Sequence, residues 1–105
     1  MDANTAYNRR DQLEIVDVRE QDEWDAGHIE GAQHIPLSEL QSRAVEIDRE
    51  ADIVTVCHSG QRSARAANFL AELGYRAENL SGGMLEWEDA GLPIITADGQ
   101  PGTVV

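Results

Sequence analysis

The sequence predicts an α/β fold, a mainly parallel sheet covered by helices on both faces. Three observations predict it. Ile53-Val54-Thr55-Val56 is a β-branched run of the kind a parallel sheet buries on both sides. Strand-like and helix-like stretches alternate from Glu14 to Gly91, as βαβ units require. Beyond the β-branched run, Ala66, Phe69, Leu70 and Leu73 fall at i, i+3, i+4 and i+7 on one apolar helix stripe, and Gly74 follows as a left-handed stop.

Taken in order, residues 1–12 are polar, with paired arginines, and read as a loosely ordered lead-in. So little chain precedes the first confident strand, Glu14 to Val18, that a strand ahead of it is left open. Gln21 to Ala26 then reads as a short helix ended by Gly27, and Ala32 to Ile35 as a short strand. After Pro36, Ser38 with Gln41 forms a capping box for a helix to about Ile47, whose buried face is Leu37, Leu40, Ala44 and Ile47. Arg76 to Leu80 is another strand, Ser81-Gly82-Gly83 a tight turn, and Met84 to Ala90 a helix that packs Trp87 inward before Gly91 ends it. Residues 96–105 hold two turn signals, Asp98-Gly99 and Pro101-Gly102, and read as a frayed tail.

The 105 residues suit one core, so a single domain over 1–105 is expected. Only 5% are aromatic, so the core is aliphatic. No apolar run approaches the ~20 residues of a membrane span, which argues against a membrane partner. No signal-like segment opens the chain, and its one cysteine cannot form an internal disulfide; both point to the cytoplasm. The net charge is −12 and all eight basic residues are arginines, which argues against nucleic-acid binding. Such a surface also repels anions, so any anionic substrate must be attracted locally. One cysteine and three scattered histidines lack metal-ligand spacing, and no dinucleotide or lysine-bearing phosphate motif occurs. Neither metal nor cofactor is expected, and the chain reads as a monomer.

The residues that carry chemistry begin with Cys57, placed at the carboxyl end of the β-branched strand and followed by His58, Ser59, Gly60, Gln61, Arg62 and Ser63. A loop here aims backbone N–H groups at one point, and the amino end of the next helix, near Arg62 or Ser63, adds partial positive charge. These surroundings favour thiolate over thiol, and the thiolate is the nucleophile. An inert core cysteine needs no glycine, serine or arginine beyond it.

At these residues the chain resembles the rhodanese-like sulfurtransferases, whose single-domain members carry a C-x-S-G-x-R-S loop after the central strand. Cys57 to Ser63 fits that pattern. Ile15-Val-Asp-Val-Arg19-Glu20, Gly27-His28-Ile29-Glu30-Gly31-Ala32 and Ile35-Pro36-Leu37 resemble the family's early signature; Gly82-Gly83-Met84, Trp87 and Ala90 to Pro93 resemble its closing segment. The resemblance implies a three-layer α/β/α domain with a four- to five-stranded sheet. It also implies transfer of a sulfane sulfur from thiosulfate or a persulfide donor to cyanide or a thiol through a Cys57 persulfide. In that reading the loop amides, with the Ser59 and Ser63 hydroxyls, stabilise the anions. Arg62 holds the donor or anchors the loop, Gly60 permits close approach, and His58 and Gln61 shape access.

Asp17 and Arg19 read either as an ion pair bracing the loop or as a solvated pair at a strand end. The resemblance places His28 in a structural turn rather than in catalysis. Two rivals stand beside sulfur transfer. Cysteine phosphatases and arsenate reductases typically place about five residues between Cys and Arg, whereas here there are four, His58 to Gln61. A smaller ring suits a sulfur atom better than a tetrahedral oxyanion. The second rival is a non-catalytic persulfide carrier or regulatory docking module serving a partner protein.

Overall fold

The computed structural model describes residues 1–105. Strands β1 (Leu13–Asp17), β2 (Gln33–His34), β3 (Asp52–Val56) and β4 (Arg76–Asn79) form one parallel sheet in the order β2-β1-β3-β4. Helices α1 (Ala3–Asn8), α2 (Gln21–Ala26), α3 (Leu40–Arg43), α4 (Gln61–Glu72) and α5 (Gly83–Asp89) complete the α/β domain.

The central strand explains the layering. Successive side chains of β3 point to opposite faces. Ile53 and Cys57 join Leu40, Ala44, Ala66 and Leu70 on the α3 and α4 side. Val54 and Val56 join Ala3, Ala6, Met84 and Trp87 on the α1 and α5 side. Thr55, fully buried between them, donates its hydroxyl proton to the Ser63 carbonyl at 2.7 Å, fastening α4 to the strand. After β1 the chain moves outward to β2, then crosses to β3 and continues to β4 on the other side. The direction therefore reverses between β1 and β3, and in open parallel sheets the crevice beyond such a reversal holds the site. Cys57 lies there.

Four expectations change. The lead-in is helical: the Asp2 carboxylate caps α1 by accepting from the Thr5 N–H at 2.7 Å. Ala3 and Ala6 are buried, and the Tyr7 ring meets Trp87 edge-on at 5.9 Å. No strand precedes β1. Met1 instead lies along the edge beyond β4, donating to the Asn79 carbonyl at 3.1 Å and accepting from Ser81 N–H at 2.8 Å.

The Ser38 capping box does not form. Leu37 N–H is held by the Val18 carbonyl at 3.0 Å, so the segment turns early and Ser38 falls inside a 3-10 turn, Leu37–Glu39. The long helix is replaced by that turn, the short α3 and a second 3-10 turn, Ala44–Glu46. Leu40, Ala44 and Ile47 still bury the expected face. On α4, Leu73 falls at the helix end and is 41% exposed, so the buried stripe is Ser63, Ala66, Ala67 and Leu70.

The tail is pinned rather than frayed. Residues 96–101 turn back on themselves, Ile95 pairs with His28 and with Pro101, and Thr103 N–H reaches the Ala26 carbonyl at 2.9 Å. Gly27 permits this: a Cβ there would lie 2.7 Å from both the Thr103 nitrogen and its carbonyl oxygen.

Gly27→Ala is accordingly expected to destabilise the protein by about 1–3 kcal/mol, as overpacking does, and to release residues 96–105. Urea midpoints and limited digestion with subtilisin check this; a tail as resistant as in the wild type would contradict it.

Candidate active site

Strand β3 delivers Cys57 to the sheet's carboxyl edge, and Gly60, at φ +104°, turns the chain into α4. A left-handed conformation of this kind is what glycine accepts without steric cost. The loop's other side is closed by α5, whose Met84 and Leu85 N–H groups donate to the Cys57 and His58 carbonyls at 2.9 and 3.1 Å. Gly83 makes that approach possible, since a Cβ there would sit 2.4 Å from the Cys57 carbonyl oxygen. The backbone around the cysteine is held from both helices.

The sulfur itself is 1% exposed as part of Cys57 and meets only uncharged donors. Gly60 N–H points at Sγ from 3.1 Å and the Ser63 hydroxyl from 3.2 Å. Burial pushes the thiol up. The Ser63 hydroxyl and the N–H groups of Ser63, Gly60 and Ser59 outweigh it, and the pKa lies below the ordinary 9.0.

Asn79, at the end of β4, is a partner that sequence reasoning missed. Its Nδ2 donates to the Gly60 carbonyl at 3.0 Å, and its Oδ1 accepts from the Ser63 hydroxyl. Ser63 has one hydroxyl proton and two acceptors, Cys57 Sγ and Asn79 Oδ1. The signal was a polar residue ending a strand just ahead of Leu80-Ser81-Gly82-Gly83, beside the Cys57 loop.

Arg62 was expected to hold a donor or anchor the loop, and its geometry is that of an anchor. Both terminal nitrogens meet the Glu23 carboxylate, at 2.8 and 2.9 Å. The Arg62 hydrogen bond pulls the Glu23 carboxyl from 4.5 to about 2 against the opposing effect of burial. Glu23 also accepts from Glu20 N–H at 3.0 Å, capping α2, so one carboxylate joins the starts of α2 and α4.

Asp17 and Arg19 form a buried pair, 1% and 0% exposed, and not a solvated one. Arg19 Nη2 lies 2.8 Å from Asp17 Oδ2 and donates to the Gly27 carbonyl at 2.8 Å; Nη1 donates to the Glu23 carbonyl at 3.2 Å. The pair braces α2, and through Glu23 it reaches Arg62.

His28 stands apart from the loop. It is buried, bonded through Nδ1 to the Trp24 carbonyl at 3.0 Å and stacked on the Trp24 ring, whose ring also stacks against His34. This is the structural role read for it. Of the loop residues, His58 is half-buried with an unpartnered Nδ1, while Ser59 and Gln61 are exposed at the rim. The largest cavity, about 360 Å³, lies between α1, β1 and α5, lined by Tyr7, Leu13, Ile15 and Trp87 among others, and does not reach Cys57. No group of histidine, cysteine and carboxylate side chains could hold a metal ion, and no helix is long and apolar enough to cross a membrane.

A parallel sheet reversing at a single buried cysteine, with a tight loop feeding a helix, defines a class. The rhodanese-like domain family matches residues 2–90, and the chain belongs to that family. A rhodanese-related protein from Thermoplasma volcanium superposes with a TM-score of 0.88 at 32% identity, covering 90% of this chain and 95% of that one. A sulfurtransferase from Allochromatium vinosum is 38% identical over 86 residues, 81% of this chain and 80% of that protein. A Bacillus subtilis protein named as a candidate sulfur carrier is 41% identical over 78 residues, 73% of this chain. The chain spans 42% of the length of that Bacillus relative. Its relatives thus include a sulfurtransferase as well as the candidate carrier.

Two measurements test the geometry. Ser63→Ala removes a hydrogen bond to the charged sulfur, so alkylation of Cys57 by iodoacetamide at pH 7 is expected to slow by about tenfold; an unchanged rate would remove Ser63 from the sulfur's support. Glu23 is depressed in the folded state, so its contribution to stability is complete above 4.5 and is lost as pH falls toward about 2. The difference in melting temperature between wild type and Glu23→Gln should therefore be present at neutral pH and close over that acid range. A difference constant down to pH 2 would contradict it.

Proposed function

We propose that the chain is a sulfurtransferase that moves a sulfane sulfur from thiosulfate or a persulfide donor to cyanide or a thiol through a Cys57 persulfide. The observation that carries the reading is the Cys57 sulfur itself: desolvated, yet favoured as thiolate by amide and hydroxyl donors at 3.1 and 3.2 Å. The thiolate attacks the outer sulfur of thiosulfate, the sulfur–sulfur bond breaks, and sulfite leaves with the electron pair as a dianion. Cys57 then carries the added sulfur as a persulfide anion. The same donors that hold the thiolate stabilise this anion, as preorganised N–H groups stabilise an oxyanion. In the second half, cyanide or a thiolate attacks the outer sulfur and returns the Cys57 thiolate.

Within this reading Ser59 and Ser63 supply hydroxyls, Gly60 the close amide, and His58 and Gln61 the rim through which donor and acceptor enter. Arg62 fixes the loop through Glu23. Asp17 and Arg19 act at one remove, as positioning residues. The lone thiol needs a reducing compartment such as the cytoplasm.

A second reading is a persulfide carrier that delivers its sulfur only to a partner protein, which the Bacillus relative's name favours. Both readings share the first half-reaction. Turnover with cyanide or a small thiol distinguishes the enzyme, and a single stable charge of sulfur the carrier.

Intact mass after brief incubation with thiosulfate, followed by desalting without reductant, is expected to rise by one sulfur atom in wild type and not in Cys57→Ser, with the fold retained. Loading of Cys57→Ser would overturn the mechanism.

A further inference from the structure

Every hydrogen-bond donor that reaches the Cys57 sulfur is uncharged: the Ser63 hydroxyl and the N–H groups of Ser59, Gly60 and Ser63. The loop's one cation, Arg62, is paired, each terminal nitrogen on one oxygen of Glu23. A second arginine that supports the loop, Arg19, is buried against Asp17. No lysine exists to replace either, and the chain as a whole carries −12. A dianion approaching this loop meets a repulsive overall field, and the loop's own cation is already paired. A donor of lower charge meets the same amides with less to overcome.

We propose that Glu23 is a specificity-determining residue that, by neutralising Arg62, turns the Cys57 loop away from dianionic sulfur donors such as thiosulfate and toward hydropersulfides. This rests on the sulfurtransferase reading of the site and names the donor class within it. With a hydropersulfide R–S–SH, the Cys57 thiolate attacks the outer sulfur and the sulfur–sulfur bond breaks. The thiolate R–S⁻ leaves with the electron pair, and Cys57–S–SH remains. One negative charge enters as Cys57 thiolate and one leaves as R–S⁻, so no dianion has to be accommodated at any stage. With thiosulfate the leaving sulfite carries two.

Glu23 touches no reacting atom and acts through Arg62. A merely structural role would slow both donors together. Its specific signature is therefore the ratio between donors, not the rate with either.

The test measures second-order rate constants for one-sulfur loading of Cys57, by intact mass, with thiosulfate and with cysteine hydropersulfide. Wild type, Glu23→Gln, Glu23→Asp and Glu23→Gln/Arg62→Met are compared under one buffer and ionic strength. Wild type is expected to load at least tenfold faster from the hydropersulfide. Glu23→Gln releases the Arg62 charge and is expected to narrow that ratio at least tenfold through faster loading from thiosulfate. Glu23→Asp keeps the charge and the wild-type ratio. The double variant Glu23→Gln/Arg62→Met also keeps it, because it removes both members of a neutral pair, and it serves should Glu23→Gln alone fail to fold.

An unmoved ratio in Glu23→Gln, a parallel slowing of both donors, or a selective loss of thiosulfate loading in Glu23→Gln/Arg62→Met would overturn the proposal while leaving sulfur transfer intact. Loading from neither donor would instead remove the sulfurtransferase reading, and the proposal with it.

Discussion

Arg19 has no water to turn to. Its side chain is fully buried, and a buried charge is tolerated only when it is paired and its protons have acceptors. Asp17 supplies the counter-charge, and the remaining protons go to the Glu23 and Gly27 carbonyls. Both lie in the segment that forms α2. The position of α2 is thereby dictated by a group at the end of β1, and α2 in turn presents the Glu23 carboxylate to Arg62 at the start of α4. The Cys57 loop is thus fastened to its neighbouring strand through two ion pairs in series, one buried and one half-exposed. Removing either partner of the first pair leaves an uncompensated charge, which is typically worth about 3–5 kcal/mol.

Much of this was legible in the sequence because the informative residues are strongly patterned. The β-branched run of β3, the stripe of α4 and the Cys57-to-Ser63 motif each specify local structure by themselves. What escaped depends on contacts that local pattern does not encode. Helix α1 buries only two alanines and part of a tyrosine, too little apolar signal to separate a six-residue helix from a polar lead-in. The tail is held by backbone hydrogen bonds and by the absence of a Cβ at Gly27, neither of which leaves a compositional trace. The Ser38 capping box had the right residues, but a long-range bond from Leu37 to Val18 set the phase of the turn first. Arg62 was singled out from the sequence as a donor ligand or a loop anchor. Its partner is 39 residues away, and only the fold reveals that its charge is already answered.

The placement of charge follows the same logic. A chain this acidic cannot rely on its overall field to attract an anion, and the site relies instead on dipoles: backbone amides and one hydroxyl. Dipoles stabilise a charge that forms in place more than they recruit one from solution. This suits the proposed transfer from a hydropersulfide, in which the charge originates on Cys57 and stays on sulfur throughout.

Ser63 donates a single hydrogen bond to one of two acceptors, the sulfur or the side-chain Oδ1 of Asn79. An ionised sulfur draws that hydrogen bond to itself, and a neutral one leaves it to Asn79 Oδ1. The side-chain amide of Asn79 therefore keeps a record of the sulfur's state without touching it. In magnetic resonance terms, the pair of Asn79 amide proton signals is a built-in reporter, readable in the intact protein with no label on the cysteine.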